Sequence, residues 1–298
     1  MTVIFVIEVI TYLLFSSTGL ACNIHLFLNF LEKLQGSSEF NTLCLAKTVP
    51  NILVCVTYLL WSTPLSTFNV QFEQIPQFLA VLIGQVNIGA TYIARPIIQV
   101  LMAVNVWYLI NFPLRKLPAY TFKVVIALVT VSAVLVILYT IKRLEPLACG
   151  LSYKPQLLIW TNDFTDCFPD ISTTAVSIMC IISVCFSIAT FMRLCCEKVT
   201  GLSGDTLRSR RRKRVRFFIQ SVCQDGLYLL DLVSWKKISP LNPEEWFQFV
   251  TGKAGLLLLH AFDGFVMFYF HPELYPKWLK KSKASSLVLT RVHSTTAN

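Results

Sequence analysis

The chain has 298 residues, 55% of them hydrophobic and only 14% charged, with a mean hydropathy of +0.61. That mixture does not describe a water-facing surface, which argues against the two soluble domains that the length alone would allow. The net charge of +10 is also unevenly placed: seven of the 26 Lys and Arg fall between Arg208 and Arg216, between two apolar segments, which points to membrane topology and not to a nucleic-acid groove.

A helix needs roughly 20 mostly apolar residues to cross the hydrocarbon core, and its backbone must be satisfied internally because lipid offers no hydrogen bonds. Seven segments meet that requirement: residues 3–30, 42–66, 78–110, 122–141, 171–194, 215–235 and 246–270. The first has no basic stretch ahead of it and no small-residue cleavage site, so it reads as a retained span and not a signal peptide. At 1.5 Å per residue the third is about 50 Å long, so it must tilt or protrude, and Pro96 is a candidate kink.

Between the fourth and fifth spans lies a long polar loop with Cys149 and Cys167, and with Tyr153, Trp160 and Phe164 available to line or plug an entrance. On an oxidising face the two cysteines are expected to pair with each other, the alternative being two free thiols. The other cysteines mostly sit in apolar runs, where a thiol acts as a small hydrophobe. Cys195 and Cys196, at the end of the fifth span, form a weak acylation signal.

The sixth segment is the least hydrophobic, interrupted by Gln220, Gln224, Asp225 and Asp231. After the seventh, Leu274 and Trp278 fall four apart with lysines on another face, the pattern of a short helix on a membrane surface, against which Pro276 counts. Residues 1–272 are therefore expected to form the membrane domain and 273–298 a tail that begins with that helix.

Orientation follows from the loop charges. With the amino terminus outside, the cytosolic side holds Lys33, Arg115, Lys116, the Arg208 to Arg216 cluster and Lys277, Lys280, Lys281 and Lys283. The opposite side has only Lys142, Arg143, Lys154, Lys236 and Lys237. Seven spans then put the carboxyl terminus in the cytosol. The basic cluster reads as a topology determinant attracting anionic lipid, with Arg115, Lys116, Arg210, Arg211, Arg212, Lys213 and Arg214 also available to a cytosolic partner.

No metal-ligand spacing, nucleophile elbow, phosphate loop or paired-carboxylate arrangement is present, and the four His are scattered, so neither an enzyme nor a cofactor is expected. Ionisable residues inside spans are costly and need partners: Glu8, Arg95, Asp225, Asp231, Lys253 and Asp263. Asp225 and Asp263 are the better functional candidates, because each precedes a glycine, Gly226 or Gly264, that permits close helix approach.

The order of these features resembles the nematode serpentine chemoreceptors, class x (Srx) above all, which look like divergent rhodopsin-type G-protein-coupled receptors. The residues that carry the resemblance are Gly19 to Asn23 in the first span, Leu43 to Lys47, Asn51 and Leu60 to Pro64 in the second, Arg216 to Asp225 in the sixth and His260 to Gly264 in the seventh. Cys149 and Cys167 also resemble the class, whereas the usual receptor bridge needs a cysteine near the start of the third span and residues 64–110 contain none.

The resemblance implies an all-α, rhodopsin-like seven-transmembrane bundle in the plasma membrane, or in a sensory cilium, that binds a small extracellular molecule and signals to a heterotrimeric G protein. Gln85, Asn87, Tyr92, Tyr228 and Trp246 are expected to line the ligand site. Asn23, Asn51, Asn105, Asp225 and Asp263 are expected to form the intramembrane switch. One departure stands against coupling: where such receptors carry an Asn-Arg-Phe or Asp-Arg-Tyr triplet, this chain has Asn105-Val106-Trp107, and an uncharged Val106 cannot make the arginine's charge-assisted contacts. A receptor that binds without coupling is therefore a rival reading. A small transporter or channel using Asp225, Asp263, Lys253 and Arg95 is another, although no internal repeat supports it.

Overall fold

The computed structural model describes residues 3–33, 39–112, 127, 131, 151–162, 170–196 and 205–276. Apart from the helical positions 127 and 131, the expected fourth span lies outside the described residues, as do Arg115, Lys116, Cys149, Phe164, Cys167 and the tail from residue 277.

The first span is a single helix, Val3–Glu32, that buries Glu8, Tyr12, Ser16, Gly19, Asn23, Leu26 and Phe30. These residues recur every three or four positions and so form one stripe. Hydropathy alone does not reveal the stripe, because the opposite face is equally apolar; Ile7, Ile10, Leu14 and Leu28 lie exposed on it. Polar and small residues mark the inward face instead. Hydroxyls elsewhere on the helix bond back to their own turn, Ser17 to the carbonyl of Leu13 and Thr18 to that of Leu14, which satisfies them without a neighbour. Gly19 lets spans one and seven touch: a Cβ there would stand 2.8 Å from that of Ala261.

The second span is Glu39–Thr67 and the third Phe78–Asn111, at 34 residues the longest, as expected. Each contains a widened π-type turn, Tyr58–Ser62 and Gln85–Ala90 respectively, and Pro96 lies inside the third. The fifth is Asp170–Cys196. The sixth, Asp205–Val233, starts well before the expected residue 215, so the basic cluster lies on the helix itself. Arg and Lys are good helix formers and no Gly or Pro interrupts residues 205–225, so nothing in the sequence stops the helix short of its polar end. The seventh is two helices, Glu245–Lys253 and Gly255–Phe270, meeting at 47°.

Among the described residues four helices are long and apolar enough to cross a membrane alone, and the bent seventh makes a fifth if its halves count as one span. The sixth does not reach that standard, for the reason its sequence gives: four polar side chains and a basic extension dilute its apolar content.

Two of the three apolar clusters among the described residues lie toward opposite ends of the bundle. At one end Tyr12, Val54, Cys55, Tyr58, Phe249 and Leu257 pack with Tyr153 and Leu158 of a β-hairpin. Its strands, β1 (Leu151–Lys154) and β2 (Ile159–Asn162), are antiparallel with Tyr153 opposite Trp160. At the other end Leu26, Phe30, Phe40, Ile98, Met102, Val106, Phe217 and Met267 close together beside the basic start of span six. Between the two lies a layer of buried polar side chains.

Candidate functional site

Asp263 organises that polar layer. One carboxylate oxygen is 3.0 Å from the Lys47 ammonium of span two and 3.3 Å from the Arg95 guanidinium of span three, and the other accepts a 3.0 Å hydrogen bond from the Asn51 side-chain amide. All four side chains are essentially inaccessible to solvent. Two buried basic side chains thus share one carboxylate, which compensates charge that would be costly to leave unpaired inside a membrane bundle. Asn51 extends the network: its amide also donates to Asn23 Oδ1 at 3.0 Å, and its carbonyl oxygen lies 2.7 Å from His260 Nδ1. The path therefore runs across spans one, two, three and seven.

Asp225 is satisfied differently. Ser183 donates to one of its oxygens at 2.7 Å and Gln99 to the same oxygen at 2.8 Å, while Ser187 donates to the other at 2.9 Å. Gln99 links the two carboxylates, because its side-chain oxygen accepts a bond from the Lys47 ammonium. A small crevice beside Asp225, with room for about one water, lies between spans three, five and six and is lined by Gln99, Cys180, Ser183 and Tyr228 among others.

The two glycines that follow these aspartates play different parts. A Cβ on Gly264 would stand 2.5 Å from the Asn23 amide nitrogen, so this glycine admits Asn23 to the network, as expected. Gly226 has nothing within 4 Å of its Cβ position, so it does not mediate the approach expected of it. Asp225 is reached instead from the serines of span five. A third glycine has the role that Gly226 was expected to have: Gly255, whose Cβ would stand 2.5 Å from an oxygen of Asp231.

Gln85, Asn87 and Tyr228 are buried in the bundle, and Tyr92 is half-buried and packs against Tyr228. Trp246 does not join them; it is 54% exposed on the first helix of span seven, and its ring meets Phe247. Arg95 lies over the Tyr228 ring, 5.2 Å from its centroid. The hairpin lies across the mouth of the bundle, with Tyr12 Oη donating to the carbonyl of Leu158 at 2.9 Å, Tyr153 Oη and Ser66 Oγ 2.7 Å apart, and the Gln156 amide donating to the carbonyl of Val70 at 2.9 Å. Burial pushes the Tyr153 phenol up, so it stays a neutral hydroxyl there.

At the basic end, Asn105 and Val106 are buried, Val106 at 2% exposure among Leu26, Met102, Ile110 and Phe217. Arg216 of span six reaches Glu273, in the turn after span seven, at 3.1 Å, and His271 Nδ1 lies 3.0 Å from the same oxygen. Those hydrogen bonds and charges outweigh partial burial and hold the Glu273 carboxyl down at about 2. Arg212 and Lys213 are exposed on the same helix end, with Arg211 and Arg214 half-buried. Arg210 lies on that helix too.

Sequence reasoning missed Lys47, Gln99, Ser183 and Ser187 as members of the site. Lys47 left a usable signal, a lysine inside an apolar run four residues before Asn51, one helical turn away. The serines left none, since hydroxyls that bond their own backbone look the same in sequence.

The described helices form a bundle of membrane-length elements around a buried ionic network, with a hairpin at one end. The family model for the serpentine-type seven-transmembrane G-protein-coupled chemoreceptors Srx matches residues 13–271, and the chain belongs to that family. It is accordingly a multi-pass membrane protein of a receptor class, not an enzyme. Comparison with curated proteins gives no match.

Proposed function

We propose that the chain receives a small extracellular molecule in the hairpin half of the bundle and transmits its presence through the Asp263 network to a cytosolic partner at the basic end. In this reading the hairpin faces outside, the Arg208 to Arg216 helix end and the loop around Arg115 and Lys116 face the cytosol, and the receptor works at the plasma membrane. The observation that carries it is the sharing of Asp263 by Lys47 and Arg95, which ties spans two, three and seven through one carboxylate. A ligand that draws Arg95 away leaves Asp263 to Lys47 and Asn51, a second arrangement of the same groups. Differential binding to the two arrangements is what a switch requires. Asn23, Asn51 and Asp225 belong to the relay through their bonds to it, and Asn105 marks its basic end.

Surface expression followed by a broad chemical panel, read through G-protein activation, tests this. Ligand-dependent activation that is weakened by Asn51→Ala at matched surface expression supports it, and silence across the panel despite good surface expression counts against it.

A receptor that binds without coupling is favoured by one observation, the apolar packing of Val106. That packing leaves no charge at the position from which the resembling receptors engage their G protein. Ligand binding to purified chain without any activation would select this second reading.

A further inference from the structure

Several buried polar atoms on spans three and six have no hydrogen-bond partner among the described residues: Nη1 of Arg95, both amide atoms of Asn87 and Gln224, and the hydroxyls of Tyr92 and Tyr228. Asn87, Arg95, Gln224 and Tyr228 are each more than nine-tenths buried. Buried polar groups in folded proteins are nearly always paired, so this many orphans in one region need an explanation.

They are not scattered. Arg95 lies over the Tyr228 ring, and Tyr92, Cys180 and Asp231 all lie within electrostatic reach of the Tyr228 hydroxyl. Tyr92, Tyr228, Val176, Cys180 and Leu259 pack as one cluster. Gln224 is one helical turn from Tyr228, and Asn87 is about two turns from Arg95 toward the hairpin.

The unpaired groups favour a hydrogen-bond acceptor: Arg95 Nη1 can only donate, and the Tyr92 and Tyr228 hydroxyls can donate beside it. Among the described residues the ion-pair partner of Arg95 is a single oxygen of Asp263, which it shares with Lys47. Asp225 already accepts bonds on both oxygens from Gln99, Ser183 and Ser187. Asp231 acts on Arg95 at a distance, and among the described residues no ion pair joins them. His260 is committed to Asn51. Arg95 Nη1 is therefore a donor without an acceptor among the described residues, close to two phenolic hydroxyls that also lack partners there.

We propose that the ligand carries a carboxylate, taken by Arg95 Nη1 and the Tyr228 and Tyr92 hydroxyls, with an apolar body against Val176, Cys180 and Leu259; this rests on the receptor reading above. Guanidinium presents a fork of donors that matches the two oxygens of a carboxylate. Asn87 and Gln224 read a hydroxyl or amide elsewhere on the molecule. Engagement of Arg95 by the ligand competes with Asp263, which couples this site to the network.

The test uses the full chain, purified in detergent, and monocarboxylates of graded apolar size, each paired with its methyl ester and its primary-amine analogue. Thermal unfolding reports binding, since a ligand held by the folded state alone raises Tm. The expected result is that at least one acid raises Tm while its ester and amine do not, and that Tyr228→Phe shifts the half-saturating acid concentration upward by about tenfold, as loss of a hydrogen bond to a charged group implies. Arg95→Gln is expected to abolish the acid effect; because it also removes an Asp263 partner and can impair folding, Tyr228→Phe and Tyr92→Phe are the deciding variants.

If esters or amines stabilise as well as acids and the tyrosine variants weaken them, the carboxylate assignment falls while the pocket stands. If acids stabilise but neither tyrosine variant changes the effect, the site is elsewhere and both assignments fall. If no acid stabilises the wild type, the carboxylate proposal is overturned, whereas activation by any other compound in the G-protein panel would preserve the receptor reading.

Discussion

The middle of the bundle and its basic end solve burial in opposite ways. In the middle, Lys47, Arg95, Asp225 and Asp263 are taken out of water and compensated by one another and by Asn51, Gln99, Ser183 and Ser187. At the basic end, where the resembling receptors carry an arginine, Val106 lies in a core of Leu26, Phe30, Phe40, Met102, Phe217 and Met267, and among the described residues the ion pairs there are at its rim, through Glu273. The first region is specified by partners that must all be present. The second is specified by shape and exclusion of charge. Donors of a polar network can re-sort among acceptors, whereas a close-packed apolar core resists rearrangement; in the proposed reading a signal from the middle has to cross that stiff layer to reach the basic end.

The largest effects are expected from changes that leave an uncompensated charge in either region. Asp263→Asn removes the carboxylate that Lys47 and Arg95 share and should destabilise by about 3–5 kcal/mol, read as loss of surface expression and a lower Tm. Val106→Arg places a new cation in the apolar core and should be destabilising by a similar, order-of-magnitude amount of several kcal/mol. If Val106→Arg were tolerated with Tm unchanged, the basic end would be wetter than its packing indicates, and the contrast between the regions would fail.

A smaller effect is expected where the charge stays compensated but the fit is lost. Gly264→Ala drives a methyl against the Asn23 amide and should cost about 1–3 kcal/mol, read by thermal unfolding, with Gly226→Ala on open space as the matched control that changes little.

The smallest belongs to the rim. Glu273 is 41% exposed, so Glu273→Gln should cost less than about 1 kcal/mol. Its folded-state carboxyl is held at about 2 against an ordinary 4.5. A depressed carboxyl stabilises the folded state above its unfolded value and loses that contribution as pH falls through the folded one, so the wild-type advantage over Glu273→Gln should be constant above about pH 4.5 and shrink toward pH 2.

Sequence made the spans legible because hydrocarbon thickness imposes one length on every crossing helix. It exposed Asp225 and Asp263 because an ionisable residue in an apolar run stands out, and it exposed the hairpin aromatics Tyr153 and Trp160 for a similar reason, as large rings in a polar loop. What remained illegible is pairing. Nothing in the spacing says that Lys47 and Arg95 meet on Asp263, or that Asp225 is reached by serines of span five and not through Gly226, because these contacts join residues far apart in sequence. Trp246 illustrates the converse: an aromatic near a helix mouth is equally suited to lipid and to a pocket, and here it lies exposed. The start of span six was misplaced because hydropathy marks where a helix leaves lipid, not where it ends.

The central claim is that the hairpin end faces out and the basic end faces in, and reactivity of epitope tags at the two termini, in intact and then in permeabilised cells, tests it most directly. An amino-terminal tag reached in intact cells, with a carboxyl-terminal tag reached only after permeabilisation, is the expected result; both tags on the same side, or the reverse arrangement, would contradict it.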